Sequence, residues 1–308
     1  MPKFHPLPVL IFLIFSIVLI AVASYVNQNA QNKNIKNFFH GSGNIFSPKE
    51  NTEEKIAKLI TNTIKSQSGR WAVYVKDLNR SQTYEINTQE IFPSASLYKL
   101  AVMYKTYDEL ENGRIQKDTS VSGNKTELDS TLQGLQNKEE LNDREQEVIS
   151  YNVSEALRLM ITVSDNYSAL TLAQYLGWQQ IDGLMEKEGF ANIDLVSQDS
   201  PTVSAKAVGD LLEKIYSNKA VSANASEEMK QLLFAQKIND RIPEYLPNYA
   251  KVGHKTGELD GVRHDAGIVY GKNSNYIFVF LTDTKDPIGA TEQIAQLAKT
   301  FFEELERQ

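Results

Sequence analysis

Three short groups of polar residues carry side chains that could perform nucleophilic chemistry together. In chain order they are Ser96-Leu97-Tyr98-Lys99, Ser164-Asp165-Asn166 and Lys255-Thr256-Gly257. A serine hydroxyl is a weak nucleophile unless a neighbouring base removes its proton. Ser96 and Lys99 begin a segment with helical spacing, in which residues i and i+3 are neighbours with Cβ atoms about 5–6 Å apart. The first group therefore indicates a serine that is activated by a lysine.

The spacing of Ser96 and Lys99 alone carries little information, because Ser122 and Lys125 repeat it. That second pair lies in a Ser-Gly-Asn turn pattern with no predicted helix, so its lysine has no fixed position relative to its serine. The other two groups are rarer in a chain of this length. All three groups in order, on a helix, a loop and a strand, indicate one shared site.

Together the three groups resemble those of the penicillin-recognising serine hydrolases, and the chain from about residue 53 to 308 is most similar to the class A β-lactamase family. The resemblance implies that Ser96 attacks the substrate carbonyl, that Lys99 accepts the serine proton, and that Ser164 relays a proton to the leaving nitrogen. It also implies an oxyanion hole formed by the backbone N–H groups of Ser96 and Glu258. A lysine serves as the base only where burial or nearby cations lower its pKa.

The same resemblance assigns the remaining candidates to substrate binding. Asn166 hydrogen-bonds the side-chain amide of the substrate or orients the catalytic lysine. Lys255 and Thr256 attract and bind the substrate carboxylate. Gly257 lets an extended peptide, or the β-lactam that mimics it, approach the strand closely. Arg263, on the following strand, either helps to bind the carboxylate or is a solvated strand arginine.

One segment departs from the family pattern. Class A enzymes carry a Glu and an Asn at fixed spacing in an acidic loop, where the Glu positions the water that hydrolyses the acyl-enzyme. The corresponding residues 189–202 form a shortened stretch without a Glu-x-x-x-Asn pattern. Acylation is therefore expected, whereas rapid deacylation is not. Asp194 or Asp199 could replace the missing base only with a different geometry. Glu186 and Glu188 belong to the preceding helix, and all four acids are positions at which an unrecognised base would be sought by mutation.

Two other kinds of site are disfavoured. His254, His264 and Asp265 suggest a Ser-His-Asp arrangement, but no second nucleophile accompanies them, and His264 and Asp265 point to opposite faces of a strand. A metal site on the two histidines lacks a third ligand nearby in the sequence. The chain has no cysteine, which excludes disulfides, thiol catalysis and zinc–thiolate sites. No metal and no cofactor are predicted.

Charge and hydropathy indicate a membrane-associated protein that does not bind nucleic acid. Among 308 residues, 32 Lys and Arg and 39 Asp and Glu give a net charge of −7, without the basic surface typical of nucleic-acid binders. Residues 9–26 form an uncharged apolar run that is long enough to span a bilayer. Residues 1–26 are therefore predicted to be a signal anchor, or a signal peptide if they are cleaved. The catalytic domain is expected outside the cell membrane as part of a single-pass protein, or secreted or periplasmic after cleavage.

The rest of the chain is predicted to form a flexible linker over residues 27–52 and one domain over residues 53–308. A helix is expected at about 52–66, strands at 71–77, 82–87, 250–259, 262–270 and 276–283, and further helices between them, one starting at Ser226. This order predicts an α+β fold in which distant segments form one antiparallel sheet beside a helical lobe of about 111–245. The resemblance implies a β-lactamase-like fold, with a five-stranded antiparallel sheet flanked by N- and C-terminal helices and preceded by the transmembrane helix.

Three functional hypotheses follow. The leading one is a β-lactamase-like serine hydrolase, held at the membrane by its N-terminal helix, that opens the β-lactam ring through an acyl-enzyme on Ser96. The alternative is a D-alanyl-D-alanine carboxypeptidase or a related cell-wall peptidase that acts on the peptidoglycan stem peptide with the same residues. The third, of another class, is a β-lactam-binding module that is acylated without turnover.

Overall fold

The computed structural model describes Lys58 and residues 69–133, 147–197 and 200–308, all within the compact unit Glu50–Gln308. The predicted signal anchor, the linker and, apart from Lys58, the helix at about 52–66 lie outside the described residues. Within the described part of the chain, no helix is both long and apolar enough to cross a membrane.

A five-stranded sheet is the centre of the fold. The strands are, in chain order, β1 (Arg70–Asp77), β2 (Gln82–Ile86), β3 (Ile91–Pro93), β4 (Ser120–Asn124), β5 (Val148–Asn152), β6 (Ile193–Asp194), β7 (Thr202–Ser204), β8 (Lys251–Leu259), β9 (Val262–Tyr270) and β10 (Asn275–Asp283). The central sheet has the order β2-β1-β10-β9-β8, and all its neighbouring strands are antiparallel. This topology confirms the predicted five-stranded antiparallel sheet. The short strands form two small sheets, β3-β7-β6 and β4-β5.

Eight α-helices occur among the described residues: α1 (Tyr98–Glu111), α2 (Lys125–Gln133), α3 (Val153–Thr162), α4 (Asn166–Leu176), α5 (Trp178–Lys187), α6 (Ala205–Tyr216), α7 (Ala223–Phe234) and α8 (Pro287–Glu306). At the start of several of these helices, a polar side chain accepts a hydrogen bond from a backbone N–H group that would otherwise be unpaired. At the start of α4, Asp165 Oδ1 accepts a hydrogen bond from Ser168 N at 2.7 Å. This cap fixes the turn that carries Ser164 and Asn166.

The central sheet is buried on both faces, and the alternation along β1 separates two hydrophobic cores. Ala72 and Tyr74 enter the core shared with the helical lobe, whereas Trp71 and Val73 enter the core shared with the C-terminal helix α8. Successive residues of a strand point to opposite faces, so one strand of small and large apolar residues can serve both cores. This double burial makes the sheet a rigid support for the site at its edge.

Two local predictions are wrong, and both errors arise from capping. Helix α7 begins at Ala223 rather than at Ser226, because Ser222 Oγ accepts a hydrogen bond from Ala225 N. Ser226 is instead buried and donates to Ala220 O at 2.9 Å. Lys125, expected in a turn, begins helix α2 and forms an ion pair of 3.2 Å with Asp129.

The edge strand β8 lies directly beside the helical turn Ala95–Leu97 that precedes α1. A Cβ atom added at Gly257 would lie 3.2 Å from Ala95 Cβ and 3.1 Å from His264 Cβ, which is closer than most Cβ contacts. The glycine therefore allows the close approach between the strand and the turn. In this way the third motif of the sequence is placed against the first.

Candidate active site

Ser96 lies in a strained turn at the wall of a large cavity. The preceding residue, Ala95, has a φ of 45°, a conformation that is uncommon for residues other than glycine. Two hydrogen bonds hold the backbone before it: Ser94 N donates to Pro201 O at 2.8 Å, and His264 Nε2 donates to Pro93 O at 2.8 Å. Ser96 is half-buried and faces a cavity of about 640 Å³. The turn is therefore fixed in a conformation that presents the serine to a ligand-sized space.

Lys99 is fully buried behind this turn. Its Nζ donates to Ser164 O at 2.6 Å and to Asn166 Oδ1 at 2.7 Å, and lies 3.3 Å from Ser164 Oγ. Burial lowers the pKa of Lys99 to about 7, and the nearby Asp165 opposes the shift. A neutral amine has two N–H bonds, which the two short hydrogen bonds occupy. Its lone pair is then free to accept a proton.

Lys255, on β8, approaches the same serine from the sheet. Its fully buried Nζ donates to Ser164 Oγ at 2.8 Å and to Thr256 O at 2.7 Å. Burial and then the charge of Lys99 lower the pKa of Lys255 well below its usual value. Ser164 itself has a φ of 57°, so its backbone is also held in an unusual conformation. The structure thus brings one member of each sequence motif to a single hydroxyl group.

The other predicted site residues lie around this cluster in different ways. Asn166, Thr256 and Glu258 line the cavity together with Ser96 and Ser164. Arg263 lines a neighbouring cavity of about 450 Å³. Its Nη1 donates to Leu259 O at 2.9 Å and to Val262 O at 2.8 Å, which ties down the turn between β8 and β9. Its Nη2 forms an ion pair of 3.0 Å with Glu258.

Arg241 is a third buried cation, which the sequence analysis missed. Its side chain is only 1% exposed, and its Nη2 donates to Glu258 Oε2 at 2.9 Å. The Nε and Nη1 atoms are buried without a hydrogen-bond partner among the described residues. Arg241 lies in an irregular loop, with neither a motif nor a periodic pattern to mark it. The fold brings Arg241 near Lys255, and the positive charge of Arg241 also lowers the pKa of that lysine.

A buried His–Asp pair positions the loop of Arg241. His254 Nδ1 lies 2.8 Å from Asp265 Oδ1, and His254 Nε2 lies 3.0 Å from Asn239 Oδ1. The second carboxylate oxygen of Asp265 accepts a hydrogen bond from Ile242 N at 2.9 Å. Both ring nitrogens of His254 are thus engaged with groups other than a hydroxyl, and the pair joins the loop to β8 and β9. The arrangement is structural rather than that of a Ser-His-Asp triad.

His264 holds the backbone just before the turn that carries Ser96. Its Nδ1 accepts a hydrogen bond from Thr282 N at 3.1 Å, while its Nε2 donates to Pro93 O. Burial lowers the pKa of His264 to about 4, so the ring is neutral near pH 7.

Within the described residues, no group of three or more His, Asp or Glu side chains could hold a metal ion.

The cavity wall formed by α4, α5 and the shortened loop is largely apolar. Its apolar members are Leu170, Trp178, Leu195, Val196 and Pro201. Of the acids considered for activating water, Glu188 accepts a hydrogen bond of 2.9 Å from Tyr104 and pairs with Lys214. Asp194 accepts hydrogen bonds from Val196 N and Ser197 N within its own loop.

Glu186 is exposed to solvent, and Asp199 lies outside the described residues. None of Glu186, Glu188 and Asp194 is among the residues that line the cavity. The described part of this wall therefore presents apolar side chains together with Gln179 and Ser200, and none of these three acids.

Comparisons with known proteins agree with this fold and motif arrangement. A family model for the Beta-lactamase enzyme family matches residues 51–305. The chain is 22% identical to the β-lactamase VEB-1 of Pseudomonas aeruginosa over 273 residues, which cover 78% of this chain and 87% of VEB-1.

Solved structures give the same result for the fold. Two structures of PBP-A, one of them a variant in an acyl-enzyme complex with penicillin G, each superpose with a TM-score of 0.71 at 20% identity, covering 84% of this chain and 97% of theirs. A β-lactamase from Chitinophaga pinensis superposes with a TM-score of 0.70 at 21% identity, covering 82% of this chain and 99% of its own. Since the family model spans most of the chain and its fold recurs in these structures, the protein belongs to the β-lactamase enzyme family.

Proposed function

We propose that the protein is an active-site serine hydrolase that is acylated on Ser96 by β-lactams and hydrolyses the acyl-enzyme slowly. One observation carries the proposal: Lys99 and Lys255 converge on Ser164 at the base of the cavity that Ser96 faces. A buried lysine with a pKa of about 7 is about half neutral near pH 7 and so supplies the base that activation of a serine requires.

The acylation step uses the residues of this cluster in sequence. Neutral Lys99 takes the proton of Ser96 as the serine oxygen bonds to the lactam carbonyl carbon. The backbone N–H groups of Ser96 and Glu258 stabilise the negative oxygen. As the ring C–N bond breaks, Ser164 gives its proton to the nitrogen and is reprotonated by Lys99, whose Nζ lies 3.3 Å from Ser164 Oγ. Atoms and protons balance, and the ring nitrogen leaves protonated.

Basic and hydroxyl side chains near the cavity are proposed to bind the carboxylate of the substrate. Lys255 and Thr256 belong to the edge strand β8, and Thr256 lines the cavity. Arg241 lines the neighbouring cavity and bonds to Glu258, which lines both cavities. Carboxylates bind most strongly to such charge-assisted donors. Asn166 would hydrogen-bond the side-chain amide of the substrate, a role supported by its position in the cavity wall and its hydrogen bond with Lys99.

The apolar wall supports acylation followed by slow deacylation. Hydrolysis of the ester needs a base that holds water against it, and the described wall has leucine, valine and tryptophan side chains there. The same feature favours a second candidate function, a D-alanyl-D-alanine carboxypeptidase, which uses the same acylation machinery on a peptide. PBP-A, whose variant was captured with penicillin G, is similar to this chain in fold.

We also propose that the catalytic domain lies outside the cell membrane, held there by residues 1–26.

Time-resolved intact-mass spectrometry with benzylpenicillin tests the proposal, with the Ser96→Ala variant as the control. The expected result is rapid gain of one penicilloyl mass on the unaltered protein, slow return to the free mass, and no adduct on Ser96→Ala. A parallel assay of D-alanine release from a D-alanyl-D-alanine peptide separates the two candidate functions. The absence of any adduct on the unaltered protein would refute the proposal.

A further inference from the structure

Large apolar side chains of the catalytic cavity are left in contact with solvent. Leu132, on α2, and Val196, in the loop between β6 and β7, both line the cavity and are 43% and 38% exposed. Trp178, on α5, also lines it and packs against Tyr98, with ring centroids 5.7 Å apart. Covering such surface with an apolar ligand group is favourable, because it removes the surface from water. The cavity therefore favours a ligand that carries an apolar group.

The side of the cavity formed by these residues offers no partner to a charged ligand group. Apart from the two buried lysines at its base, Glu258 is the only charged side chain among the described residues that line the cavity. Glu258 is itself paired with Arg241 and Arg263. Gln179 and Ser200, which accompany the apolar wall, are uncharged. A charged group placed against this wall would lose hydration without gaining an opposite charge.

Two aspartates hold the loop that contributes Leu195 and Val196 to the apolar wall. Asp182 Oδ1, on α5, accepts a hydrogen bond from Leu195 N at 2.8 Å, and Asp194 Oδ1 accepts one from Val196 N at 3.0 Å. The side chain of Leu195 is buried, which fixes the loop from its inner side. The apolar wall is therefore formed before a ligand arrives, and a preformed surface lowers the ordering cost of binding.

The position of Asn166 indicates which part of the substrate meets the apolar wall. Asn166 and Leu170 both line the cavity and lie four residues apart on α4, so that they are neighbours on one face of the helix. Asn166 is proposed to bind the amide that joins the acyl side chain to the β-lactam nucleus. The acyl side chain itself therefore begins beside Leu170, at the apolar wall.

We propose that the cavity is selective for β-lactams with an uncharged, apolar acyl side chain, and that Leu132 and Val196 are specificity-determining residues that contact this side chain. The inference rests on the proposed function, because the acyl side chain belongs to the acylating substrate. Its consequence is that a charge of either sign on the acyl side chain slows acylation.

Three penicillins that share a phenyl side chain test the selectivity on the unaltered protein. Carbenicillin and ampicillin differ from benzylpenicillin by a carboxylate or an amine on the side-chain carbon next to the amide. The second-order acylation constant is measured by intact mass, and those of carbenicillin and ampicillin are each expected to be about tenfold lower than that of benzylpenicillin. Equal constants would overturn the inference. A slower reaction of carbenicillin with a faster one of ampicillin would also overturn it, because the charge of Glu258 would then set the preference.

The Val196→Lys variant tests whether the acyl side chain lies beside the loop. A cation at this exposed position is expected to raise the acylation constant of carbenicillin by about tenfold, and to change that of benzylpenicillin by about twofold or less. Val148→Lys is the matched control, because Val148 is 61% exposed, is not among the cavity-lining residues and gives the same change in net charge. Its constants are expected to equal those of the unaltered protein. An unchanged constant for carbenicillin in Val196→Lys would overturn the placement of the side chain.

The Leu132→Gln variant tests the apolar contact from α2. The probes are benzylpenicillin and 6-aminopenicillanic acid, which has the same nucleus without an acyl side chain. The acylation constant of benzylpenicillin is expected to fall by about fivefold, and that of 6-aminopenicillanic acid by about twofold or less. Equal falls for the two compounds would show that Leu132 does not act on the acyl side chain.

Failure of the inference and failure of the proposed function give different results. If the unaltered protein forms an adduct with all three penicillins at the same rate, the selectivity is refuted while the proposed function stands. If it forms no adduct with any of them, both fail. Near-ultraviolet circular dichroism of each variant confirms that the exposed substitutions leave the fold intact.

Discussion

Lys99 and Lys255 both donate to one hydroxyl group, with their Nζ atoms 3.3 Å and 2.8 Å from Ser164 Oγ. Both amines are buried, and each ammonium charge disfavours the other. The arrangement therefore favours a state in which one lysine is neutral. Burial lowers the pKa of both lysines, and Lys99 is assigned as the base because it follows Ser96 by about one helical turn. The two lysines are chemically alike, but their partners give them different tasks.

Substitutions of the two lysines should affect different kinetic constants. Lys99→Ala removes the base and is expected to lower the acylation rate at saturating substrate by about 10²–10⁴-fold. Lys255→Ala is expected chiefly to weaken binding of the carboxylate, which Thr256 and Arg241 share, and to lower the saturated rate much less. Stopped-flow acylation over a range of benzylpenicillin concentrations measures both constants. Equal losses of the saturated rate in the two variants would contradict these roles.

The pH dependence of acylation follows from the pKa of Lys99. Because that pKa is about 7, the amine is protonated and inactive as a base at lower pH. The second-order acylation constant should fall by about tenfold for each pH unit below 7 and level off above it. A constant that does not change between pH 5 and pH 8 would mean that another group accepts the proton of Ser96.

Deacylation should be slow, and its rate should not depend on Asp194 or Glu188, whose carboxylates already have other hydrogen-bond partners. A chromogenic cephalosporin is expected to give a burst followed by turnover about 10²–10⁴-fold slower than with a positioned base. Asp194→Asn and Glu188→Gln should leave the slow phase unchanged, because these side chains bond within their own loop or to Tyr104 and Lys214. A slower second phase in Asp199→Asn would identify that residue as a weak base. Fast linear turnover without a burst would contradict the prediction.

The stability of the fold should fall in acid through His264. Its folded pKa of about 4 lies below the ordinary value of 6.5 for histidine, so the unfolded chain binds more protons between these two pH values. The contribution of His264 is complete above about pH 6.5 and is lost as pH falls through about 4, by up to roughly 3 kcal/mol. Urea unfolding of the protein and of His264→Gln at several pH values measures it. The difference in unfolding free energy between the two should shrink as pH falls, and a constant difference would refute the prediction.

Regular patterns made most of the fold predictable. The strands of the central sheet were predicted nearly to their ends, because apolar and β-branched runs bounded by turns have few alternatives. The beginning of α7 was misplaced, since Ser222 and Ser226 are both acceptable caps and only packing selects between them. Helix α2 was missed because Asn124, which accepts hydrogen bonds from Thr126 N and Glu127 N, also suits a turn.

The candidate site was predictable only where a motif marks it. Ser96, Ser164 and Lys255 belong to three recognisable groups, and the fold brings these groups together. Arg241 belongs to none, and its contact with Glu258 joins residues that are 17 positions apart through an irregular loop. The pairing of His254 with Asp265 was likewise hidden, because it depends on the register of β8 and β9. Side-chain partners across such distances follow from tertiary packing rather than from local pattern.

Peptide mapping of the penicillin adduct is the most direct test that the three motifs form one nucleophilic site. The protein is treated briefly with benzylpenicillin, digested, and sequenced by tandem mass spectrometry. The penicilloyl group is expected on Ser96, and the Ser122→Ala variant should be labelled to the same extent as the unaltered protein. Labelling of Ser122, of Ser164 or of any residue outside the cavity, or undiminished labelling of Ser96→Ala, would contradict the assignment.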